Sequence, residues 1–104
     1  MASALMRLAQ GRGGFATVLA KGDPDSGQLL LSILEKGRFS GLFERQLGHD
    51  AAYEWTACGP QPADNEQKIS EYWQRRRARD PDLWVIELDV PVATQLVAEL
   101  TEIG

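Results

Sequence analysis

Pro81 divides the stretch RRRARDPDLWVIELD, residues 75–89, into two halves that cannot share one backbone geometry. Before it, Ile69, Tyr72, Trp73 and Arg76 recur at three- and four-residue spacing, the period of one helix face. After it, Leu83-Trp84-Val85-Ile86 is a short apolar run, the length and composition of a strand. A proline disfavours helical geometry in the residue before it, so the helix must stop at Asp80. Asp64 suits the cap at the other end, with Gln67 as its capping-box partner, which predicts a helix over about 65–79. Asp64 before Lys68 and Glu71 before Arg75 are favourable pairs one turn apart.

The remaining segments follow from the same periodicity rules. Ser3 can cap a first helix whose stripe is Leu5, Leu8 and Ala9 and whose end is Gly11. GRGG reads as a flexible hinge into the strand FATVLAK, residues 15–21. That strand is apolar or small on both faces, which predicts a place inside the sheet. The turn formed by Gly22, Asp23, Pro24 and Gly27 links it to QLLLSILE, and the pair reads as a hairpin. Leu29, Leu31 and Ile33 share one face of the second strand; Leu30, Ser32 and Leu34 share the other. Gly37 opens a third strand with Phe39 and Phe43 on one face and Arg38, Ser40 and Glu44 on the other. A fourth, AAYEWTA, turns Tyr53 and Trp55 inward. Pro91 suits the first turn of a last helix with the core stripe Val92, Ala93, Leu96, Val97, Leu100 and Ile103.

The expected fold is therefore a single α+β domain over residues 1–104, helix–four strands–helix–strand–helix, with a mostly antiparallel sheet of about five strands. The first four strands read as a meander. The fifth follows a helix and can pair with any of them.

Composition excludes several kinds of chemistry. The chain has one cysteine, Cys58, and one histidine, His49, so it holds no internal disulfide and no structural zinc site of the Cys/His type. A formal charge of −4 argues against a surface that binds polyanions throughout. The charges are segregated, however: five of the eleven basic residues lie between Lys68 and Arg79, and residues 80–104 hold six acids and no Lys or Arg. No apolar run has the length of a membrane span, and the first residues lack the pattern of a signal peptide. The expected location is cytoplasmic, away from the membrane.

Two clusters invite a functional reading. Arg75, Arg76, Arg77 and Arg79 close the helix, where cations complement its dipole. Arginine is also the residue of choice for phosphate, and Tyr72 and Trp73 stand nearby as stacking surfaces. Glu87 and Asp89 share a strand face, and Asp23 and Asp25 could join them in a hard-cation site, although aspartates are also what turns use. The Pro-Asp of a metal-dependent nuclease is followed too soon by Glu87, and Asp89 occupies the place of the activating lysine. No phosphate loop, GxGxxG or GxSxG motif occurs. No cofactor and no metal site is expected.

The stretches GGFATVLAKGDPDSGQLLLSI, EKGRFSGLFER and ISEYWQRRRARDPDLWVIELD together resemble the alphaproteobacterial domain-of-unknown-function family 1491. The most specific elements are Gly13-Gly14-Phe15, the turn Gly22-Asp23-Pro24 with Gly27, and Tyr72 with Arg76 leading into Asp80-Pro81-Asp82-Leu83-Trp84-Val85. The resemblance covers roughly residues 4–89. Family members carry more of the first apolar segment, so it implies that the chain begins inside that segment. It implies no activity, catalytic residue, cofactor or partner. It does imply that the basic helix and its exit form one unit.

Tyr72, Arg76, Asp80, Pro81, Asp82 and Trp84 are accordingly read as a structural junction, with Arg76 or Arg79 tied to Asp80 or Asp82 across the bend. The leading functional reading is a non-enzymatic interaction module that offers a sheet face or edge to a protein, a second copy included. The alternative is nucleic-acid binding through Lys68, Arg75, Arg77 and Arg79. An enzyme is the third reading, which three or more carboxylates gathered in one pocket would revive.

Overall fold

The computed structural model describes residues 2–24, 28–47, 53–60 and 66–103. The elements follow the expected order: α1 (Ala2–Gly11), β1 (Phe15–Ala20), β2 (Leu29–Glu35), β3 (Arg38–Leu47), β4 (Tyr53–Cys58), α2 (Glu66–Arg79), β5 (Trp84–Val90) and α3 (Ala93–Ile103). Asp25, Ser26, Gly27, His49 and Asp64 lie outside the described residues.

The strand order is β1-β5-β2-β3-β4, an α+β sheet that is mostly antiparallel with one parallel pair. This corrects the expected hairpin and four-stranded meander. β5 returns from α2 and inserts between β1 and β2, antiparallel to the first and parallel to the second. β1 is thus an edge strand rather than an interior one; Phe15 is 73% exposed. The two strands buried on both faces are β2 and β5, whose apolar runs are nearly continuous.

α1 and α3 cover one face of the sheet. Leu5, Ala9, Leu96 and Leu100 pack there on Leu29, Leu31, Ile33, Ile86 and Leu88. α2 covers the other face, with Ile69 against Leu30, Leu42, Leu83 and Val85. Phe43 joins the first core and Phe39 the second, so the two rings lie on opposite faces, not on one. The cause is a bulge: Ile33 faces Gly41 and Leu34 faces Phe39, which leaves Ser40 as an extra residue.

Local backbone chemistry fixes the corners. GRGG is a cap rather than a hinge: the Gly14 amide bonds the Ala9 carbonyl and the Gly13 amide that of Gln10, with Gly13 at φ 77°. Lys36 (φ 49°) and Gly37 (φ 82°) form the two-residue turn between β2 and β3, so Gly37 belongs to the turn. Val92 is 43% exposed and precedes α3 instead of lining its core stripe. The Glu35 carboxylate, at the end of β2, accepts the Ala93 amide at 2.9 Å and caps that helix from across the sheet. Arg12 joins the end of α1 to Gln95 and Glu99 of α3.

A Cβ on Gly22 would lie 2.0 Å from the Asp82 carbonyl oxygen, whereas one on Gly11 meets nothing within 4 Å. Gly22→Ala should therefore cost about 3 kcal/mol or more. Gly11→Ala should be neutral or stabilising by up to about 1 kcal/mol. Urea denaturation of both variants checks the contrast.

Candidate functional site

The site is assembled around α2 and the chain that leaves it. Ile69, Tyr72, Trp73 and Arg76 do share the helix face that meets the sheet. Beneath them lie Glu44 on β3 and the end of β4. Gly59 (φ 67°) presses against the Tyr72 ring, where an added Cβ would come within 2.8 Å. Arg76 Nη1 donates to the Glu44 carboxylate at 2.8 Å and to the Tyr72 hydroxyl at 3.1 Å. Its guanidinium carbon stands 5.9 Å from the centre of the Tyr72 ring.

The carboxylate bound by Arg76 is therefore Glu44, on the sheet, and not Asp80 or Asp82. Side-chain exposures of 28% for Arg76 and 18% for Glu44 place this pair partly out of solvent, where an unpaired charge is costly. Burial opposes the charge on Arg76, but the bonds to Tyr72 and Glu44 outweigh it and raise its pKa. Burial also pushes the Cys58 thiol up, more than Tyr72 and Arg76 pull it down. A thiol held protonated in this way is a poor nucleophile.

The bend after α2 is held by shorter-range bonds. The Asp80 carboxylate accepts the Asp82 amide at 3.1 Å, and the Leu83 amide returns to the Asp80 carbonyl at 3.1 Å. Arg77 donates to the Pro81 carbonyl. The turn at Gly22-Asp23-Pro24 docks on this bend. The Asp23 amide bonds the Asp82 carbonyl at 3.0 Å, and the Trp84 indole N–H bonds the Asp23 carbonyl at 2.7 Å. Two motifs that are 58 residues apart in the sequence, counting from Asp23 to Pro81, thus meet in one corner.

The other arginines are placed differently. Arg75 and Arg79 have no carboxylate partner among the described residues. With Tyr72 and Arg76 they line a recess of about 230 Å³. Lys68, two turns earlier, is engaged elsewhere. On the far side of α2 a second cleft, of about 240 Å³, separates the helix from the sheet. Its polar lining is Ser32, Glu66, Ser70 and Glu87, which sequence reasoning did not gather. Glu66, Ser70 and Trp73 follow helical spacing, but nothing local marks that this face meets Glu87. Burial, then the charges of Asp89 and Glu66, push the Glu87 carboxyl up. Among the described residues no three His, Cys, Asp or Glu side chains gather as metal ligands, and no helix is long and apolar enough to cross a membrane.

The family model for "protein of unknown function (DUF1491)" matches residues 1–98, and the chain belongs to that family. The match extends beyond β5 into α3. Among solved structures, the crystal structure of a DUF1491 family protein from Caulobacter crescentus is 30% identical, with a TM-score of 0.77 over 86% of this chain and 83% of that one. An NMR structure of a DUF1491 family protein from the same organism is 32% identical, with a TM-score of 0.69 over 86% and 81% of the two chains. A solution structure of a protein from A. tumefaciens is 26% identical, with a TM-score of 0.65 over 86% and 80%. Both organisms are alphaproteobacteria. No curated protein matches.

The Arg76–Glu44 pair should couple α2 to β3 energetically. Arg76→Met and Glu44→Gln should each cost about 1–3 kcal/mol in urea denaturation. The double variant should cost less than the sum by about 1 kcal/mol, because each single change strands a partner.

Proposed function

We propose that this DUF1491 family member is a protein-interaction module that takes an added strand at its β1 edge. The observation that carries the reading is the character of that edge. Phe15–Ala20 contains no charge and no proline, and Phe15 and Val18 are 73% and 40% exposed. An edge strand presents a row of unpaired backbone groups, and proteins ordinarily blunt it with lysine, proline, a charge or a bulge. β1 has only a register shift between Val18 and Ala20, near its end, and no charge or proline, while the other edge, β4, carries Glu54. A recess of about 380 Å³ opens beside Phe15, between Gly13, Lys36, Asp89 and Pro91. It offers a side-chain pocket of the kind that gives strand addition its specificity.

The partner we assign is a second copy. Antiparallel β1–β1 pairing is self-complementary about a two-fold axis and sets no like charges opposite each other. Light scattering on a gel-filtered sample should return a dimer. Val18→Lys should return a folded monomer whose Tm no longer rises with protein concentration, because the lysine remains at the surface and only the pairing is lost. A wild-type protein that stays monomeric up to about 1 mM overturns the reading.

A second reading, contact with nucleic-acid phosphates, is favoured by the free Arg75 and Arg79 beside Tyr72. Arg76 and Arg77 are occupied, by Glu44 and by the Pro81 carbonyl, so the basic surface is narrower than the sequence cluster. Fluorescence polarisation with single-stranded RNA and duplex DNA tests it. Binding should weaken steeply between about 50 and about 200 mM salt and vanish in Arg75→Glu/Arg79→Glu. No binding at the lower salt removes this reading.

A further inference from the structure

The cleft between α2 and the sheet shares only Leu19 with β1 and no residue with the arginine recess, and its chemistry is opposite in sign to that recess. Its roof is one face of α2, where Glu66, Ser70 and Trp73 succeed each other at intervals of four and three residues. Its floor includes Ser32 and Glu87, which stand directly opposite each other in the parallel β2–β5 pair, and Phe39 from β3. Phe39 faces this cleft because the bulge at Ser40 turns it toward α2.

The described lining thus holds two carboxylates, two hydroxyls and two aromatic rings, and no Lys or Arg. A carboxylate partly withdrawn from water without a counter-charge costs stability. Glu87 is in that position: its burial and the nearby charges of Asp89 and Glu66 all oppose its ionisation. Other carboxylates of this protein are neutralised internally, as Glu44 is by Arg76 and Glu99 by Arg12. Among the described residues that line the cleft, Glu87 and Glu66 meet no such cation.

We propose that this cleft binds an organic ammonium ion, held by Glu87 and Glu66 with its carbon skeleton against Trp73 and Phe39. The fit is chemical. An ammonium group carries three N–H donors, which match two carboxylates and a serine hydroxyl. Aromatic faces attract cations once water is displaced, and tryptophan does so best. Sparsely hydrated carbon next to the charge suits the apolar remainder of the wall, Leu19, Leu34 and Ile69. A bare hard cation is a poor match, because calcium takes six to eight oxygen ligands.

The probes are 1,5-diaminopentane, pentylamine and Nα-acetyl-lysine amide, each titrated into ¹⁵N-labelled protein. The expected result is a set of saturable shifts at the amides of Ser32, Ser70 and Glu87 and at the Trp73 indole. Affinity for the diamine should fall about tenfold in Glu87→Gln and similarly in Trp73→Leu. Shifts from the free amines alone assign a small-molecule ligand, and shifts from the lysine amide as well assign a lysine side chain of a partner protein. The neutral analogue 1-pentanol, tested on the unaltered protein, separates charge recognition from simple apolar filling. Pentanol binding as tightly as the diamine, or no shift at about 10 mM of any cation, overturns the proposal.

Discussion

The parallel pairing of β2 with β5 is the constraint from which the rest of the architecture follows. Seven consecutive partners, from Leu29–Trp84 to Glu35–Val90, hold the two strands in register. Parallel strands cannot be joined by a tight turn, so the chain between them must cross from one end of the sheet to the other. Here that crossing contains β3, β4 and α2. Both strands are covered on each face, which explains why their side chains are apolar in both directions until Ser32 and Glu87. The helices then have no freedom of placement: α1 and α3 must take one face and α2 the other.

The same register organises the polar chemistry. The bend at residues 80–83 delivers Trp84 opposite Leu29, and the turn at Gly22-Asp23 is clamped to that bend by backbone and indole bonds. Once α2 is anchored there, its face divides by function. Ile69, Tyr72 and Trp73 meet the second core, Arg76 neutralises Glu44, and Arg77 closes the bend. Arg75 and Arg79 are left toward solvent, while Glu66 and Ser70 overhang the cleft above Glu87. A single helix thus separates a cationic surface from an anionic one.

Local features were legible in the sequence, and pairings were not. The ends of α2 and β5 could be read because Pro81 acts on its own neighbour. The two-sided character of Leu29–Leu34 could be read because alternation is a property of one strand. The position of β1 could not. FATVLA is apolar on both sides, and only the insertion of β5 makes it an edge. Periodicity sets Phe39 and Phe43 on one face because it carries no sign of the extra Ser40. Sequence proximity offers Arg76 the acids at Asp80 and Asp82, whereas its partner Glu44 lies 32 residues upstream and is brought near by the fold. The sites behave likewise: the junction residues are contiguous and visible, and the cleft draws on β1, β2, β3, α2 and β5, which no window along the chain contains.

The long crossing between β2 and β5 also has a kinetic side. Partners in that pair are 55 residues apart, as between Leu29 and Trp84. The loop must close before the central contacts repay its entropy, which slows folding. During synthesis β1 emerges with no neighbour, and β2 with only the β3 hairpin on one side, until residues 84–90 have left the ribosome. The hairpin turn at Lys36-Gly37 and the cap that Glu35 offers to α3 then sit at the junction of early and late structure: the first forms from local contacts alone, and the second cannot form until the last helix arrives.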